Sequence, residues 1–129
     1  MGGRIRVAVC DDARAVGLFM SHVLEEDGDM QVVSSTTTGA AALDELARLR
    51  PDALLLDLLL PDVPDPAALV RRLRERSPQT AIVLMSNMPP SDLKDEAERL
   101  GADGSMPKAQ KPEALRATIR EVVGAPGPV

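Results

Sequence analysis

Ala53-Leu54-Leu55-Leu56-Asp57-Leu58-Leu59-Leu60-Pro61-Asp62 is the stretch on which the fold turns. Its first four residues are a short apolar run and read as a strand covered on both faces, as in a parallel sheet. Asp57 follows at once, and Pro61 stops any regular continuation four residues later. A carboxylate ending a buried strand is unfavourable unless something pairs with it. In an open α/β sheet the carboxyl ends of the strands are also where ligands bind. Asp57 is therefore either a structurally satisfied carboxylate or the functional centre, and the rest of the chain has to decide.

The first strand, Ile5–Cys10, ends the same way, in Asp11-Asp12. The helix after it carries Val16, Phe19, Met20, Val23 and Leu24 on one apolar stripe. One Asp would suffice to cap that helix; two in a row at a strand end ask for more. Met30–Ser35 gives a second strand with Met30-Gln31-Val32-Val33 in it, Thr36–Gly39 reads as a turn, and a second helix runs to about Arg50 with Leu43, Leu46, Ala47 and Leu49 inward. Beyond the central strand, Pro61, Pro64 and Pro66 stiffen a loop. Pro66 opens a third helix to about Ser77, with Ala68, Leu69, Val70 and Leu73 buried and Arg71, Arg72, Arg74 and Arg76 as a solvated face. A fourth strand, Ala81–Met85, ends at Ser86; a charged helix spans Asp92–Leu100. A weak fifth strand, Ser105-Met106, meets Pro107-Lys108, and Pro112 opens a last helix with Leu115, Ile119, Val122 and Val123 inward.

Strand and helix alternate five times, which calls for an α/β parallel sheet with helices on both faces. Right-handed crossovers then leave a few open-sheet topologies, and in each the residues ending the strands share one edge. Those residues are Asp11, Asp12, Asp57, Ser86 and Lys108. Five unrelated structural roles at one edge would be the less economical account.

Composition narrows the function. At 129 residues the chain is one domain with room for a core, and 44% hydrophobic content argues against disorder. Phe19 is the single aromatic residue, so the core is aliphatic and no stacking platform for nucleic acid exists. A net charge of −5 points the same way, and direct nucleic-acid binding is not expected. A lone Cys10, no long apolar span and no signal-peptide pattern fit a cytoplasmic protein with no membrane partner. His22 has no companion ligand and reads as a surface residue, and Cys10 as a small core residue.

Asp11-Asp12, Asp57 with Pro61, Ser86 after Ile82–Met85, and Lys108 after Gly101–Gly104 resemble the receiver domains of two-component response regulators, from Ile5 to about Val123. The resemblance implies a flavodoxin-like doubly wound sheet of strand order 2-1-3-4-5 with five helices. It implies that Asp57 takes a phosphoryl group from a histidine kinase or a histidine phosphotransfer protein. Asp12, Asp57 and the Leu59 carbonyl would then bind Mg2+ directly, with Asp11 acting through water. Lys108 and Ser86 would meet the phosphate oxygens. The chemistry is coherent: a carboxylate can be phosphorylated, clustered carboxylates call for a hard cation, and phosphoryl transfer needs fixed positive charge. The partner at the output side would be a protein target or an output domain, and a phosphorylation-dependent dimer fits the same family. The domain is not expected to be an enzyme beyond its own phosphoryl transfer and slow autodephosphorylation.

Departures from the pattern are equally specific. Pro64-Asp65 stands where the family has Asp-Gly, Ser105 where it has a switching aromatic, and Ala109 where a proline follows the lysine. Leu59 and Met88, two residues after Asp57 and Ser86, are expected to pack over the site and slow loss of phosphate. Two other readings compete: a receiver-like adaptor that is never phosphorylated, and an aspartyl phosphatase. Leu59, at the position of a phosphatase general acid, cannot move a proton. Residues 1–123 form the expected domain and 124–129 a flexible tail. That tail would end a receiver-only protein or begin a linker to an output domain, and receiver-only is the expectation taken here.

Overall fold

The computed structural model, which describes residues 3–124, runs β1 (Ile5–Cys10), α1 (Arg14–Leu24), β2 (Met30–Thr36), α2 (Gly39–Leu49), β3 (Ala53–Asp57), α3 (Pro66–Arg76), β4 (Ala81–Ser86), α4 (Pro90–Leu100), β5 (Gly104–Pro107) and α5 (Pro112–Val123). Every strand pairing is parallel, in the order β2-β1-β3-β4-β5. This is the flavodoxin-like doubly wound sheet expected from the sequence. The strand order reverses between β1 and β3, so their carboxyl ends flank the crevice where such sheets bind ligands.

Alternation within each strand divides the aliphatic core in two. Ala8, Cys10, Leu54, Leu56, Ile82 and Leu84 face one layer, against Leu43 and Leu46 of α2, Leu69 and Leu73 of α3, and Leu93 and Leu100 of α4. Val7, Val9, Leu55, Val83, Met85 and Met106 face the other, against Met20 and Leu24 of α1 and Leu115 and Ile119 of α5. With both faces covered, β3 is buried at all five positions, which is why it is an unbroken apolar run before Asp57.

Several expectations need correction. Phe19 is 48% exposed, outside the α1 stripe, which is Gly17, Met20, Val23 and Leu24. Gly17 sets this rotation: a Cβ there would collide with the Ser35 hydroxyl of β2, so the bare position faces the sheet and Phe19 points away. On α2 the inward line is Gly39, Ala42, Leu43 and Leu46, at helical spacing, and Ala47 is exposed. β2 ends at Thr36, one residue beyond the expected Ser35 and in register with Cys10, and buried Ser34 donates its hydroxyl hydrogen to Glu45 at 3.1 Å. α4 begins at Pro90, two residues before Asp92. Gly124 closes α5 in the left-handed region (φ 71°), and the rest of the tail expected at 124–129 lies outside the described residues. Among the described residues no helix is long and apolar enough to cross a membrane.

The apolar pattern of α5 hid an arginine. Arg116 is only 6% exposed. Its Nη1 donates to the Val23 carbonyl at 2.7 Å, and its Nε lies 2.9 Å from Asp27. Arg120, one turn on, is bidentate to Asp29 and also reaches Asp27 at 2.8 Å. The hydrogen bonds from Arg120 hold the Asp27 and Asp29 carboxyls below the ordinary carboxylate value. Arg116→Ala would strand the Val23 carbonyl and remove a packed stem, so it is expected to lower stability by about 2 kcal/mol. Urea unfolding monitored by circular dichroism checks this; a change within experimental error would mean the contact is incidental.

Candidate functional site

Five strand-ending residues meet at the carboxyl edge of the sheet. Asp11 follows β1 directly; its N–H donates to the Thr36 carbonyl at 3.1 Å and its Oδ1 accepts from the Ala13 N–H at 2.9 Å. Neither Asp11 nor Asp12 caps α1, whose N-cap is Ala13 with no side-chain bond. Asp57 is the last residue of β3, beside Met85 in register, and its Oδ1 accepts the Leu59 N–H at 3.1 Å. Asp11 and Asp57 are 2% and 5% exposed, whereas Asp12 is open to solvent.

Lys108 answers the question the sequence left open, namely what satisfies Asp57. Its backbone N–H donates to the Ser86 carbonyl at 3.1 Å, which holds the residue against the end of β4. Its Nζ then lies 2.7 Å from Asp11 Oδ2 and 3.3 Å from Asp57 Oδ1. The Asp11 contact is an ion pair rather than a well-directed hydrogen bond, and Asp11 Oδ2 has no hydrogen-bond partner among the described residues. Burial raises the Asp57 pKa above its ordinary 3.8; the Leu59 N–H and Lys108 oppose the rise, and the Asp11 charge adds to it. Burial works to lower the Lys108 pKa, but contact with Asp11 and the charge of Asp57 outweigh it, and the net direction is up. The ammonium is therefore a fixed cation across the working pH range.

One oxygen from each of Asp11, Asp12 and Asp57 lies within 4.8 Å of the others. Oxygen donors only, three of them anionic and one exposed, suit a hard divalent cation entering from the solvent side. Ser86 is 4% exposed, and its Oγ accepts the Met88 N–H at 3.2 Å, which leaves the hydroxyl hydrogen available to an incoming oxygen. Buried Cys10 is not a nucleophile: desolvation pushes its thiol up to about 11, and its S–H donates to the Thr38 carbonyl at 3.3 Å.

The structure brings all the strand-ending residues together and corrects one expectation about their cover. Leu59 is 73% exposed, whereas Met88 packs on the α2–α3–α4 side of the core, so the two do not close over Asp57. Ser105 of β5 pairs with Leu84 of β4 and is half-buried. No cis peptide bond occurs among the described residues. Asp65, in place of half of the Asp-Gly pair, caps α3 by accepting the Ala68 N–H at 3.3 Å. The sequence reading missed Asp62 as anything but loop; its carboxylate accepts the N–H groups of Gly39 and Ala40, at 3.0 and 3.3 Å. The available signal was a Thr-Gly helix start that lacks an acid of its own in the first turn.

Residues 7–120 match the family described as the response regulator receiver domain. The chain is 32% identical over 122 residues to protein-glutamate methylesterase/protein-glutamine glutaminase 1 of Methanospirillum hungatei JF-1, covering 93% of this chain and 34% of that protein. It is 33% identical over 113 residues to regulatory protein LuxO of Vibrio cholerae, covering 88% of this chain and 24% of that one. The chain thus spans about a quarter to a third of the length of these curated relatives. The signal receiver domain of NarL from Mycobacterium tuberculosis superposes with a TM-score of 0.84 at 25% identity, covering 95% of this chain and 98% of that one. A chain from the complex of the CheA3 P1 domain with CheY6 of R. sphaeroides gives 0.83 at 28% identity, covering 96% and 100%.

The Lys108 ammonium and a divalent cation are drawn to the same carboxylates and repel each other. Lys108→Ala is therefore expected to raise Mg2+ affinity by about tenfold, a change of about 1.4 kcal/mol. Isothermal titration calorimetry measures it; unchanged or weaker binding would mean that the lysine and the metal do not compete.

Proposed function

The chain belongs to the response regulator receiver family, and from that we propose that Asp57 accepts a phosphoryl group and that the acyl phosphate switches the binding of a partner. The observation that carries the reading is the Lys108 ammonium held 2.7 and 3.3 Å from two nearly buried carboxylates, one of them at the end of the central strand. In a structural ion pair one carboxylate would satisfy one lysine. Here a second acid and an exposed third converge with Asp57 on the same point.

The residues divide the chemistry between them. An Asp57 oxygen attacks the phosphorus of a phosphohistidine on a histidine kinase or phosphotransfer protein. The P–N bond breaks as the P–O bond forms, and the imidazole nitrogen leaves with the electron pair and takes a proton. The Lys108 charge balances the oxygens added at Asp57, as a point charge needing no fixed fork. The Ser86 hydroxyl donates to one of those oxygens. Asp12, Asp57 and the Leu59 carbonyl would hold Mg2+, with Asp11 one water away; bound there, the cation neutralises charge on the transferred group. Residues 1–123 make up this receiver and 124–129 a tail beyond it. Its output partner is a protein target or an output domain, and its setting is the cytoplasm.

Two measurements follow from the reading. Incubated with acetyl phosphate and Mg2+, the protein should gain one phosphoryl group by intact mass, and Asp57→Asn should gain none. An adduct of equal yield on Asp57→Asn would move the site elsewhere, and no adduct on the native chain would favour the unphosphorylated adaptor. The second concerns lifetime. Leu59 does not shield Asp57, but neither it nor Met88 offers a hydrogen bond to orient water. Leu59→Asn is expected to speed loss of phosphate about tenfold. The decay of phosphorylated protein in Mg2+ buffer reads this directly, and equal rates would mean that water orientation is not limiting.

A further inference from the structure

The loop that leaves Asp57 is fastened at its far end. Leu58 N–H donates to the Met85 carbonyl at 3.0 Å and Leu59 N–H to Asp57 Oδ1, so the loop begins tied to the site. Val63 N–H closes a turn on the Leu60 carbonyl at 3.0 Å. Between them, Asp62 places Oδ1 3.0 Å from the Gly39 N–H and Oδ2 3.3 Å from the Ala40 N–H, at the amino end of α2. The side chain of Val63 fits where Gly39 has no Cβ; one built there would come within 2.5 Å of Val63 Cγ2. Pro61 and Pro64 flank the clamp and leave little slack between Asp57 and Asp62. The same loop and helices line a groove of about 430 Å3, floored by Leu43, Val63 and Leu69 and rimmed by Asp44 and Arg72.

We propose that Asp62 is a positioning residue that couples Asp57 to α2, so that occupation of Asp57 is transmitted to the α2–α3 face. The proposal rests on the phospho-acceptor reading. A phosphoryl group adds acceptor oxygens beyond Asp57 Oδ1, and the Leu59 N–H, already bonded at 3.1 Å, is the main-chain donor placed to follow them outward. The stiff loop moves with it and draws Asp62 from α2. The Ala40 bond is the longer of the two and loosens first. The Ala41 N–H, by contrast, is held by Thr38 at 3.1 Å within the helix's own start and does not depend on the loop. This route needs no aromatic side chain at Ser105. Coupling of this kind is reciprocal, so the clamp also biases the site.

The test is amide exchange by NMR on the full chain with Mg2+, with and without beryllofluoride, a phosphate mimic whose binding fluorine NMR reports separately. Loading is expected to speed exchange of Gly39 and Ala40 by about threefold or more, with Ala41 unchanged. Asp62→Ala should still bind beryllofluoride, exchange rapidly at both amides in both states, and show no response to loading. Asp65→Ala removes a cap of the same kind from the same loop, but on α3, and should keep the response. Beryllofluoride bound to the native chain with Gly39 and Ala40 unchanged or slower overturns the coupling alone. A loading response that survives in Asp62→Ala does the same. Failure of beryllofluoride to bind the native chain overturns the phospho-acceptor reading, and the coupling with it.

Discussion

Two nearly buried carboxylates and one ammonium that answers both form the constraint around which this molecule is arranged. Asp11 and Asp57 end neighbouring strands of the sheet, so parallel pairing of β1 with β3 brings their charges to one place whether or not anything compensates them. Lys108 has to come from β5, two strands away from β3, and its reach depends on the backbone bond to Ser86 at the end of β4. The cluster therefore holds only if β1, β3, β4 and β5 are all in register. Sheet topology and site electrostatics are the same fact seen from two sides. The arrangement also explains why a buried charge cluster persists: for stability alone, apolar residues of similar volume would serve as well or better.

Much of this was legible from residue order. A parallel sheet covered on both faces leaves strands that are continuously apolar, and β3 and β4 were readable for that reason. Strand ends are equally readable, because a charge placed directly after such a run can go to only one edge. The reading failed where burial is decided by a neighbour's size rather than by the helix's own pattern. Phe19 was assigned inward on periodicity; the decisive residue was Gly17, whose missing side chain lets α1 approach Ser35 and turns its face by one position. Arg116 was invisible for the opposite reason. An arginine interrupts an apolar pattern, and nothing local reveals that a carbonyl and carboxylates some ninety residues earlier wait for it.

Leu59 and Asp62 show a third kind of limit. Both belong to the irregular stretch after Asp57, where neither period nor propensity says which way a side chain points. Position relative to Asp57 suggested that Leu59 covers the site; the turn closed by Val63 N–H on the Leu60 carbonyl accompanies a side chain that stands in solvent. Asp62 looked like a loop residue because its partners, the N–H groups at the start of α2, lie 22 and 23 residues earlier, on the far side of β3 in the sequence. Helix ends have unpaired groups by construction, and their partners can come from any segment the fold brings near.

The arginine pair on α5 has a consequence for the way the chain comes into being. Arg116 bonds to Val23 and Arg120 to Asp29, separations of 93 and 91 residues in sequence. During synthesis α1 and the turn before β2 emerge long before their partners exist, at a chain growth of about 5–20 residues per second. Over that interval the Val23 carbonyl and the Asp27 and Asp29 carboxylates have only water. The apolar face that α1 turns towards α5 also lacks its cover. The amino-terminal half of the receiver is thus born waiting, and α5 is the helix that closes it. Folding of the receiver on the ribosome should include a late, long-range docking step, slow because the loop it closes spans most of the domain.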